Sequence, residues 1–323
     1  MTTVRVHAPA RLHMGMLDAS GDAPRRFGGL GVGVTRPAVV IEATSADGGE
    51  LAAEGPDADR ALALAVRCRD ALTRDGVRVD GVRIRVRDAI PPHVGLGSGT
   101  KLALAVTAAM CALHGRSPDP ATTARMAGRG ARSAVGLWTF ALGGFVVEGG
   151  RRPGSEDPAP LLMRHPMPDE WRCVLAIPAA QPGLSGGAEE AAFEELRPDP
   201  ERSARIAQIV LTALLPALVE RDLGEFGAAL TRLQRLVGDA FAHVQGGTFH
   251  PRAEALVEAL LRLGAPGAGQ SSWGPAVYGI AGSEEQGRAL AHRLEAQLGA
   301  GGTVAVVPFD NTGARIESNG AAR

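Results

Sequence analysis

Residues 91–101 read Pro-Pro-His-Val-Gly-Leu-Gly-Ser-Gly-Thr-Lys, and no other stretch is more informative about the fold. Three glycines, Gly95, Gly97 and Gly99, alternate with other residues, and a helix-forming run from Leu102 to Met110 follows. Glycine lets the backbone approach a ligand closely, so successive N–H groups can point at one anion. The start of a helix adds unpaired donors and a partial positive charge. The loop and the helix start together predict a phosphate-binding site.

Lys101 is the only lysine in the chain, and it lies in the first turn of the predicted helix. A chain that otherwise uses arginine but has one lysine here indicates a need for a compact point charge. We therefore predict that Lys101 contacts phosphate; the alternative is a solvated lysine on the helix surface. Ser98 and Thr100 also have two interpretations, since a hydroxyl at this place binds phosphate or caps the helix.

The composition is typical of a soluble globular protein that can bury a sizeable core. The 323 residues are 45% hydrophobic and 21% charged, and a chain of this length favours two lobes. The net charge of −1 provides no general basic field for nucleic acid or for an anionic membrane. Three widely spaced cysteines favour reduced core residues over disulfides: Cys68, Cys111 and Cys173. With no apolar leader and no uncharged stretch of spanning length, we expect a cytoplasmic protein.

Strands and helices alternate loosely along both halves, which predicts a mixed α+β fold. Alternating apolar residues from Val4 indicate a strand that ends at Pro9, and helical spacing predicts a helix over 58–74. Another helix is expected to begin at 118–120 and to end near Arg132. The proline-rich run 151–160 marks a connection and gives predicted lobes of 1–160 and 161–323. In the second lobe we predict strands at 173–177, 276–280 and 303–307, and helices at about 201–221, 223–241, 250–263 and 284–298.

Charged residues are concentrated between glycines near the N-terminus. Arg11, His13 and Asp18 lie in one short span, and Arg25-Arg26 precede a second glycine-rich stretch at 28–33. Each charge alone is consistent with a solvated hairpin. Their density between glycines predicts the lining of a site for an anionic substrate.

Three ordered motifs resemble the signature segments of the GHMP kinase superfamily. They are Pro9-Ala-Arg11, the Gly-Leu-Gly-Ser core within 92–98, and Gly-Gln-Ser-Ser-Trp-Gly-Pro-Ala-Val-Tyr at 269–278. The resemblance spans nearly the whole chain. It implies an N-terminal lobe like domain 2 of ribosomal protein S5, a ferredoxin-like C-terminal lobe and a phosphate site in the cleft between them. We predict that the loops 95–101 and 269–275 line this cleft.

Two positions depart from the pattern of the kinases. The second serine that usually follows Gly-Leu-Gly-Ser is Gly99, and the position of the catalytic aspartate is Gly136, ahead of Gly143-Gly144. Glycine has no side chain to accept a proton or to hold a metal, and ATP-dependent phosphoryl transfer depends on both functions. The departures therefore disfavour a metabolite kinase.

A closer resemblance is to the β-ribofuranosylaminobenzene 5′-phosphate synthase branch of the superfamily. The segments that carry it are 11–18, 26–31, 183–186, 234–238, 245–247, 271–275 and 311–314. The resemblance implies an enzyme of methanopterin biosynthesis that joins phosphoribosyl pyrophosphate to 4-aminobenzoate or 4-hydroxybenzoate. Pyrophosphate and carbon dioxide are released, so no strong base is needed to remove a ring proton. Mg²⁺ and a homodimer are expected.

The predicted site combines this resemblance with the residue types. The predicted catalytic residues are Asp18, Arg26 and Lys101, and Asp18 is also the predicted Mg²⁺ ligand. The predicted substrate-binding residues are Arg11, His13, Gly95, Gly97, Ser98, Gly99, Thr100, Lys101, Gln245, Ser271, Ser272 and Trp273. Plainer roles compete: a turn aspartate at Asp18, a structural histidine at His93 and core packing for Trp273.

Three function classes are open to this sequence. The first is the decarboxylating C-ribosyltransferase, whose acceptor is alternatively a heteroaromatic acid, as for a C-nucleoside synthase. The second is an ATP-dependent small-molecule kinase, which Gly99 and Gly136 disfavour. The third is a non-catalytic ligand-binding protein, against which the intact loops and basic residues argue.

Overall fold

The structure is a computed structural model that describes residues 2–18, 24–179, 187–197 and 199–319. The segment 183–186, which contributes to the resemblance, lies outside these ranges. The side chains of 188–190 and 194 are also outside the description.

Two long N-terminal strands form the centre of the fold. β1 (Thr3–Asp18) and β2 (Phe27–Ala46) pair antiparallel, with Leu12 opposite Val32 and His13 opposite Gly31. The prediction that the first strand ends at Pro9 was wrong. Pro9 faces Ala38 and Ala10 faces Val34, so the register shifts at a bulge here and the strand continues past the proline. This continuation is what carries Arg11 and His13 into the site.

The first half of the chain surrounds these strands. After a 3₁₀ turn, it contains β3 (Leu51–Glu54), α1 (Ala58–Arg74), β4 (Gly81–Asp88), α2 (Ser98–Leu113), α3 (Pro120–Ala127), α4 (Val135–Ala141), β5 (Phe145–Glu148) and β6 (Leu161–His165). The predicted helix over 58–74 is confirmed as α1. The helix predicted to end near Arg132 stops earlier, because Gly128 adopts φ 64° and caps α3.

The second half contributes the other strands and a helical layer. It contains β7 (Arg172–Ile177), α5 (Gly187–Glu194), α6 (Pro200–Ile209), a π-helical stretch (Val210–Leu214), α7 (Leu215–Glu220), α8 (Leu223–Gln245), α9 (Pro251–Arg262), β8 (Ala268–Gln270), β9 (Val277–Ala281), α10 (Glu284–Leu298), β10 (Thr303–Asp310) and β11 (Arg315–Asn319). The sequence predicted neither β8, which is three residues long, nor β11, whose residues are all exposed and lack an apolar alternation.

One sheet runs through both halves. In the described residues it has 11 strands, and its main path is β11-β1-β2-β10-β7-β9-β8. β10 joins the halves because Phe309 and Asp310 pair with Val34 and Gly33, while the earlier part of the strand pairs with β7. β11 also joins the halves, because it pairs with β1. The predicted α+β class is confirmed, whereas the predicted division at 160/161 stays a prediction.

The interior contains the three cysteines and one side of a long apolar segment. All three cysteines are buried and free, as predicted. One segment, Pro200–Glu220, is apolar and long enough to cross a membrane by length and composition, which the sequence analysis did not anticipate. It contains a π-helical stretch and buries Ile206, Val210, Leu214, Ala217 and Leu218 against the protein. A surface helix of a soluble protein has the same arrangement.

Helix α8 approaches the loop before β8 so closely that only glycine fits at the contact. A Cβ atom added to Gly227 would lie 2.4 Å from the Pro266 carbonyl carbon. We expect Gly227→Ala to lower the free energy of unfolding by about 1–3 kcal/mol through overpacking. Gly224→Ala, in the same helix, is the control. A Cβ there meets only the Asp222 Oδ1 at 3.4 Å, so we expect no loss of stability and a gain of up to ~1 kcal/mol. Equal effects of the two substitutions in denaturant unfolding would contradict the tight contact.

Candidate functional site

Ser271 connects the glycine loop, strand β1 and the loop after β8. Its hydroxyl donates to the Gly95 carbonyl at 2.7 Å and accepts from the His13 N–H at 3.0 Å. The Ser272 N–H donates to the His13 carbonyl at 3.2 Å. The Ala276 N–H donates to the Val94 carbonyl, also at 3.2 Å. The structure therefore confirms that the loops 95–101 and 269–275 come together.

Close backbone contact explains two of the glycines in these loops. A Cβ atom added to Gly95, which has φ 90°, would lie 2.0 Å from the Ser271 carbonyl oxygen. A Cβ added to Gly274 would lie 2.0 Å from the Val94 carbonyl carbon. Any larger residue at either position would separate the loops.

Arg11 extends from β1 along the glycine loop. Its N–H donates to the Leu96 carbonyl at 3.2 Å, and its guanidinium donates to the Gly95 carbonyl. A Cβ added to Gly97 would lie 3.2 Å from the Arg11 Cγ, so the side chain covers this glycine. Arg11 thus connects the loop with the cavity described below, as expected for a substrate-binding residue.

The first turn of α2 carries no side-chain cap. Its N-cap is Gly97, with φ 78°, and Ser98 is already the first helical residue. In the described residues, therefore, the Ser98 and Thr100 hydroxyls do not cap α2. The N–H groups of this turn, with the partial positive charge of the helix, form the predicted anion-binding end.

Two arginines lie beside Gly99. The position of an added Cβ would be 3.0 Å from an Nη of Arg60 and 3.6 Å from an Nη of Arg129. The space that a second serine would fill in a kinase is thus next to two guanidinium groups. Arg60 also pairs with Asp57 at 3.1 Å, so its charge is partly balanced.

The sequence analysis missed Arg129, which is one of four arginines in this region. Partial desolvation, and then repulsion from Arg60, Arg67 and Arg132, lowers the pKa of Arg129. Arginine stays protonated at neutral pH, so the repulsion raises the free energy of the arrangement, and a bound anion would relieve it. A signal was present in the sequence: Arg129 directly follows Gly128, a residue type that commonly ends helices, and Arg132 comes three residues later.

Lys101 lies beneath the loop and not on it. The residue is fully buried, its Nζ donates to the Thr139 hydroxyl at 3.0 Å, and it lies 5.9 Å from the centre of the Phe140 ring. Burial lowers the pKa of Lys101 to about 7; attraction to Asp310 opposes this, and repulsion from Arg11 adds to it. The alternative of a solvated first-turn lysine is excluded. The predicted direct contact with phosphate stays a prediction, and this position favours an effect on the loop through the electrostatic field.

An apolar cavity of about 120 Å³ opens next to Arg11. A cluster of aromatic rings lines it: Trp273 lies 4.5 Å from Phe241 and 5.6 Å from Phe193, measured between ring centres. Arg132, which the sequence analysis also missed, shares the rim with Arg11 and His13. Trp273 packs in this aromatic cluster and also lines the cavity, and its predicted contact with the substrate stays a prediction. A planar apolar ligand with one anionic group matches this lining.

Three glutamines fix the far wall of the cavity. Gln234 accepts from the Gln270 N–H at 2.8 Å and donates to the Met14 carbonyl. Gln270 donates to the Ser272 carbonyl at 2.8 Å and accepts from the His250 N–H at 2.7 Å. The predicted residue Gln245 also lines the cavity, and its amide donates to the Thr248 carbonyl at 2.8 Å. These contacts set the direction of each amide, so the wall is pre-organised.

Asp18, Arg26 and His93 are not brought to the cavity. Asp18 ends β1, five residues beyond His13 and on the order of 16 Å along the strand, and accepts from the Ser203 hydroxyl at 3.2 Å. Arg26 is exposed, and its backbone bonds to that of Arg151. His93 is exposed with φ 58°. The positions of Asp18 and Arg26 do not favour their predicted catalytic roles.

The predicted Mg²⁺ ligand, Asp18, lies on the order of 16 Å along β1 from His13, and the magnesium site stays a prediction. No group of three or more His, Cys, Asp or Glu side chains within metal-binding reach occurs in the described ranges. Magnesium often binds through substrate phosphates and few carboxylates, so this finding concerns the protein ligands only.

The burial of Lys101 has a consequence for stability that can be measured. Between pH 7 and 10.5 the unfolded chain keeps the lysine proton that the folded protein has lost, so stability rises with pH in this window. We expect a slope of up to about 1.4 kcal/mol per pH unit in wild type and its loss in Lys101→Met. Chemical denaturation of both proteins across this range measures the difference. Parallel curves would show that Lys101 titrates normally.

The chain is similar to proteins of a known superfamily. Family models described as GHMP kinases N terminal domain and GHMP kinases C terminal match residues 62–144 and 214–301. The chain is 31% identical over 291 residues to β-ribofuranosylphenol 5′-phosphate synthase of Methanothermobacter thermautotrophicus, covering 85% of this chain and 88% of the relative. It is 34% identical to the protein of that name from Archaeoglobus fulgidus, with 88% and 90% covered.

Solved structures agree with the fold. A homoserine kinase from Cytophaga hutchinsonii has a TM-score of 0.72 at 18% identity, covering 98% of this chain and 97% of its own. A mevalonate diphosphate decarboxylase from Staphylococcus aureus has a TM-score of 0.70 at 14% identity, with 98% of each chain covered. At such identities the likeness concerns the fold alone. On the matched domains and the archaeal relatives together, the chain belongs to the GHMP kinase superfamily and, within it, to the family of the β-ribofuranosylphenol 5′-phosphate synthases.

Proposed function

We propose that this protein is a decarboxylating C-ribosyltransferase of methanopterin biosynthesis. It joins phosphoribosyl pyrophosphate to 4-hydroxybenzoate or 4-aminobenzoate. The observation that carries the proposal is the aromatic cavity with an arginine rim directly beside an arginine-flanked helix start. This pairing suits an aromatic acid next to a diphosphate. The names of the archaeal relatives point to the same reaction.

The diphosphate is assigned to the first turn of α2. Backbone N–H groups of Ser98, Gly99 and Thr100 face this end, and the guanidinium groups of Arg60 and Arg129 lie beside it. Charge-assisted hydrogen bonds of this kind are among the stronger ones in proteins. Mg²⁺ carried by the diphosphate would neutralise part of the charge that develops as the group leaves.

The aromatic acid is assigned to the cavity. Its ring packs against Trp273 and Phe241, and its carboxylate faces the rim, where Arg11 and Arg132 lie. Because Arg11 also covers Gly97, the rim is continuous with the loop that receives the ribosyl donor. The two substrates therefore meet at Arg11 and His13, which is the positioning that a two-substrate reaction requires.

The chemistry needs positioning and charge stabilisation from these residues. The bond between ribose C1′ and the pyrophosphate oxygen breaks, and the oxygen keeps the electron pair. The ring carbon that bears the carboxylate then forms a bond to C1′. The bond from that carbon to the carboxylate breaks, its electron pair returns to the ring, and carbon dioxide leaves. Guanidinium and backbone N–H groups aimed at the diphosphate favour its departure.

We do not propose an ATP-dependent kinase. A Cβ added to Gly136 would lie 2.9 Å from the Thr100 Cγ2, so α4 packs against α2 at the place where a kinase has its aspartate. The name of the relatives favours a hydroxyl over an amino group on the acceptor ring, and a heteroaromatic acid is the alternative acceptor. The cytoplasmic location and the homodimer stay predictions.

The reaction is tested with purified protein, phosphoribosyl pyrophosphate, Mg²⁺ and each candidate acid. We expect pyrophosphate and carbon dioxide in equal amounts with 4-hydroxybenzoate or 4-aminobenzoate, measured with carboxyl-labelled acid. Release of ADP from ATP with homoserine or mevalonate as acceptor would favour the kinase instead. Turnover with a heteroaromatic acid alone would identify a C-nucleoside synthase.

Arg129 provides a test of the diphosphate site with a matched control. Arg129→Gln removes one guanidinium beside Gly99, and a charge-assisted contact is typically worth ~1.5–3 kcal/mol. We expect the KM for phosphoribosyl pyrophosphate to rise by about tenfold or more, with little change in the KM for the acid. Arg125→Gln is the control, because Arg125 lies on α3 and pairs with Asp157 at 2.6 Å away from Gly99. Equal KM values for both variants would contradict the assigned site.

A further inference from the structure

Gln245 ends α8, lines the cavity and has an amide whose direction is set by the backbone. Its Nε2 donates to the Thr248 carbonyl at 2.8 Å and to the Gly238 carbonyl at 3.4 Å. Both partners are acceptors, so the amide cannot be reversed without the loss of both hydrogen bonds. The nitrogen is thus turned toward the protein, and the oxygen, Oε1, is the amide atom that is left for a ligand.

The segment after α8 holds the Thr248 carbonyl in place. A Cβ atom added to Gly238 would lie 2.0 Å from the Thr248 carbonyl oxygen, so this segment lies directly against the helix. The Thr248 hydroxyl also donates to the Asp239 carboxylate at 2.7 Å. Gln245 is therefore positioned by contacts within the protein before a ligand binds, and little free energy is needed to orient its oxygen.

Gln270, on the same wall, is fixed in the same way. Its Nε2 donates to the Ser272 carbonyl at 2.8 Å, and its Oε1 accepts from the His250 N–H at 2.7 Å. A longer contact of 3.5 Å joins its Nε2 to the Gln245 Oε1. A hydrogen bond of this length is weak, so the Gln245 oxygen keeps the capacity to accept another. Each amide nitrogen has two acceptors among the described residues, so the pair offers oxygen atoms to a ligand and no N–H group.

The arginines of the cavity lie on other elements than the glutamines. Arg11 is on β1 and Arg132 precedes α4, whereas Gln245 and Gln270 are on α8 and β8. A ligand whose anionic group meets the arginines presents the opposite end of its ring to the glutamines. An acceptor oxygen there favours a hydrogen-bond donor and disfavours a second anionic or acceptor group.

We propose that the Gln245 Oε1 accepts a hydrogen bond from the hydroxyl or amino group on the ring of the aromatic acid, and that this contact selects acids with a donor para to the carboxylate. The identity of the ligand as such an acid rests on the proposed function. The acceptor character of the wall does not.

The contact also acts on the reaction. When the ring carbon that bears the carboxylate bonds to ribose C1′, the ring becomes positively charged, and a lone pair of the para oxygen or nitrogen delocalises into it. The hydrogen on that group becomes more acidic, so its bond to the Gln245 Oε1 is stronger in the transition state than in the bound acid. Loss of carbon dioxide returns an electron pair to the ring and removes the charge. The proton stays on the substituent throughout.

The contact is tested by calorimetric titration with 4-hydroxybenzoate, 4-aminobenzoate and 4-fluorobenzoate, whose fluorine is small and donates no hydrogen bond. We expect wild type to bind the two donor acids about three- to tenfold more tightly than the fluoro acid, and Gln245→Met to remove the difference. Gln297→Met is the control and keeps the preference, because Gln297 is an exposed residue of α10 that does not line the cavity. Gln245→Asn, which keeps an amide but withdraws its oxygen, gives the same comparison if Gln245→Met does not fold.

Two results of the titration would overturn the proposal. One is equal affinity of wild type for the three acids. The other is an equal loss of affinity for all three acids in the Gln245 variant, which is the result of a purely structural role.

Turnover tests whether the hydrogen bond strengthens during the reaction. A hydrogen bond to a charged group is typically worth more than a neutral one, so we expect Gln245→Met to lower kcat with 4-hydroxybenzoate by about tenfold or more, with little change in the KM for phosphoribosyl pyrophosphate. An unchanged kcat would contradict this step. If wild type shows no C-ribosyltransferase activity, the titration still decides whether the wall selects a donor, so the two proposals fail separately.

Discussion

The site depends on the direct contact between the backbones of the glycine loop and the loop after β8. Gly95 and Gly274 lie where any Cβ atom would collide with the facing chain, and the Ser271 hydroxyl joins both loops to β1. The contact fixes Arg11 and His13 relative to the start of α2. The contact is made by backbone atoms and one buried serine, and the Arg11 guanidinium adds a hydrogen bond to the Gly95 carbonyl.

Charge in the site is divided between two places with different surroundings. Arg60 and Arg129 lie beside the first turn of α2, where solvent and the Asp57 carboxylate moderate their repulsion. Lys101 is enclosed in the protein, where its ammonium group donates to Thr139 and lies near Phe140, and where the charges of Asp310 and Arg11 act on it. A buried charge acts over longer distances than an exposed one because water screens it less. Protonation of Lys101 near neutral pH would thus change the field at the loop without a contact.

The sequence predicted that the loops meet because their motifs resemble those of a superfamily whose phosphate site lies in the cleft between two lobes. The motifs themselves are local and can be recognised without tertiary information. It did not predict the burial of Lys101, although a signal was present: 102–106 and 108–111 are apolar throughout, so α2 is buried on all sides. Arg129 was missed because its place depends on where Gly128 ends α3. Glu148 ends the short buried strand β5, and only the three-dimensional arrangement shows that the Ala134 and Gly150 N–H groups donate to its carboxylate.

The two departures from the kinase pattern are structurally linked, since Gly99 lies in the first turn of α2 and Gly136, in α4, packs against that turn. At Gly99 the missing side chain leaves room for the Arg60 guanidinium, and at Gly136 it lets α4 approach Thr100. A serine at 99 would displace Arg60, and an aspartate at 136 would collide with Thr100. Restoring both kinase residues would therefore disturb the cationic environment and the helix packing before it created a phosphoryl-transfer site. The fold is shared with the kinases, but the space around this turn is built for guanidinium groups.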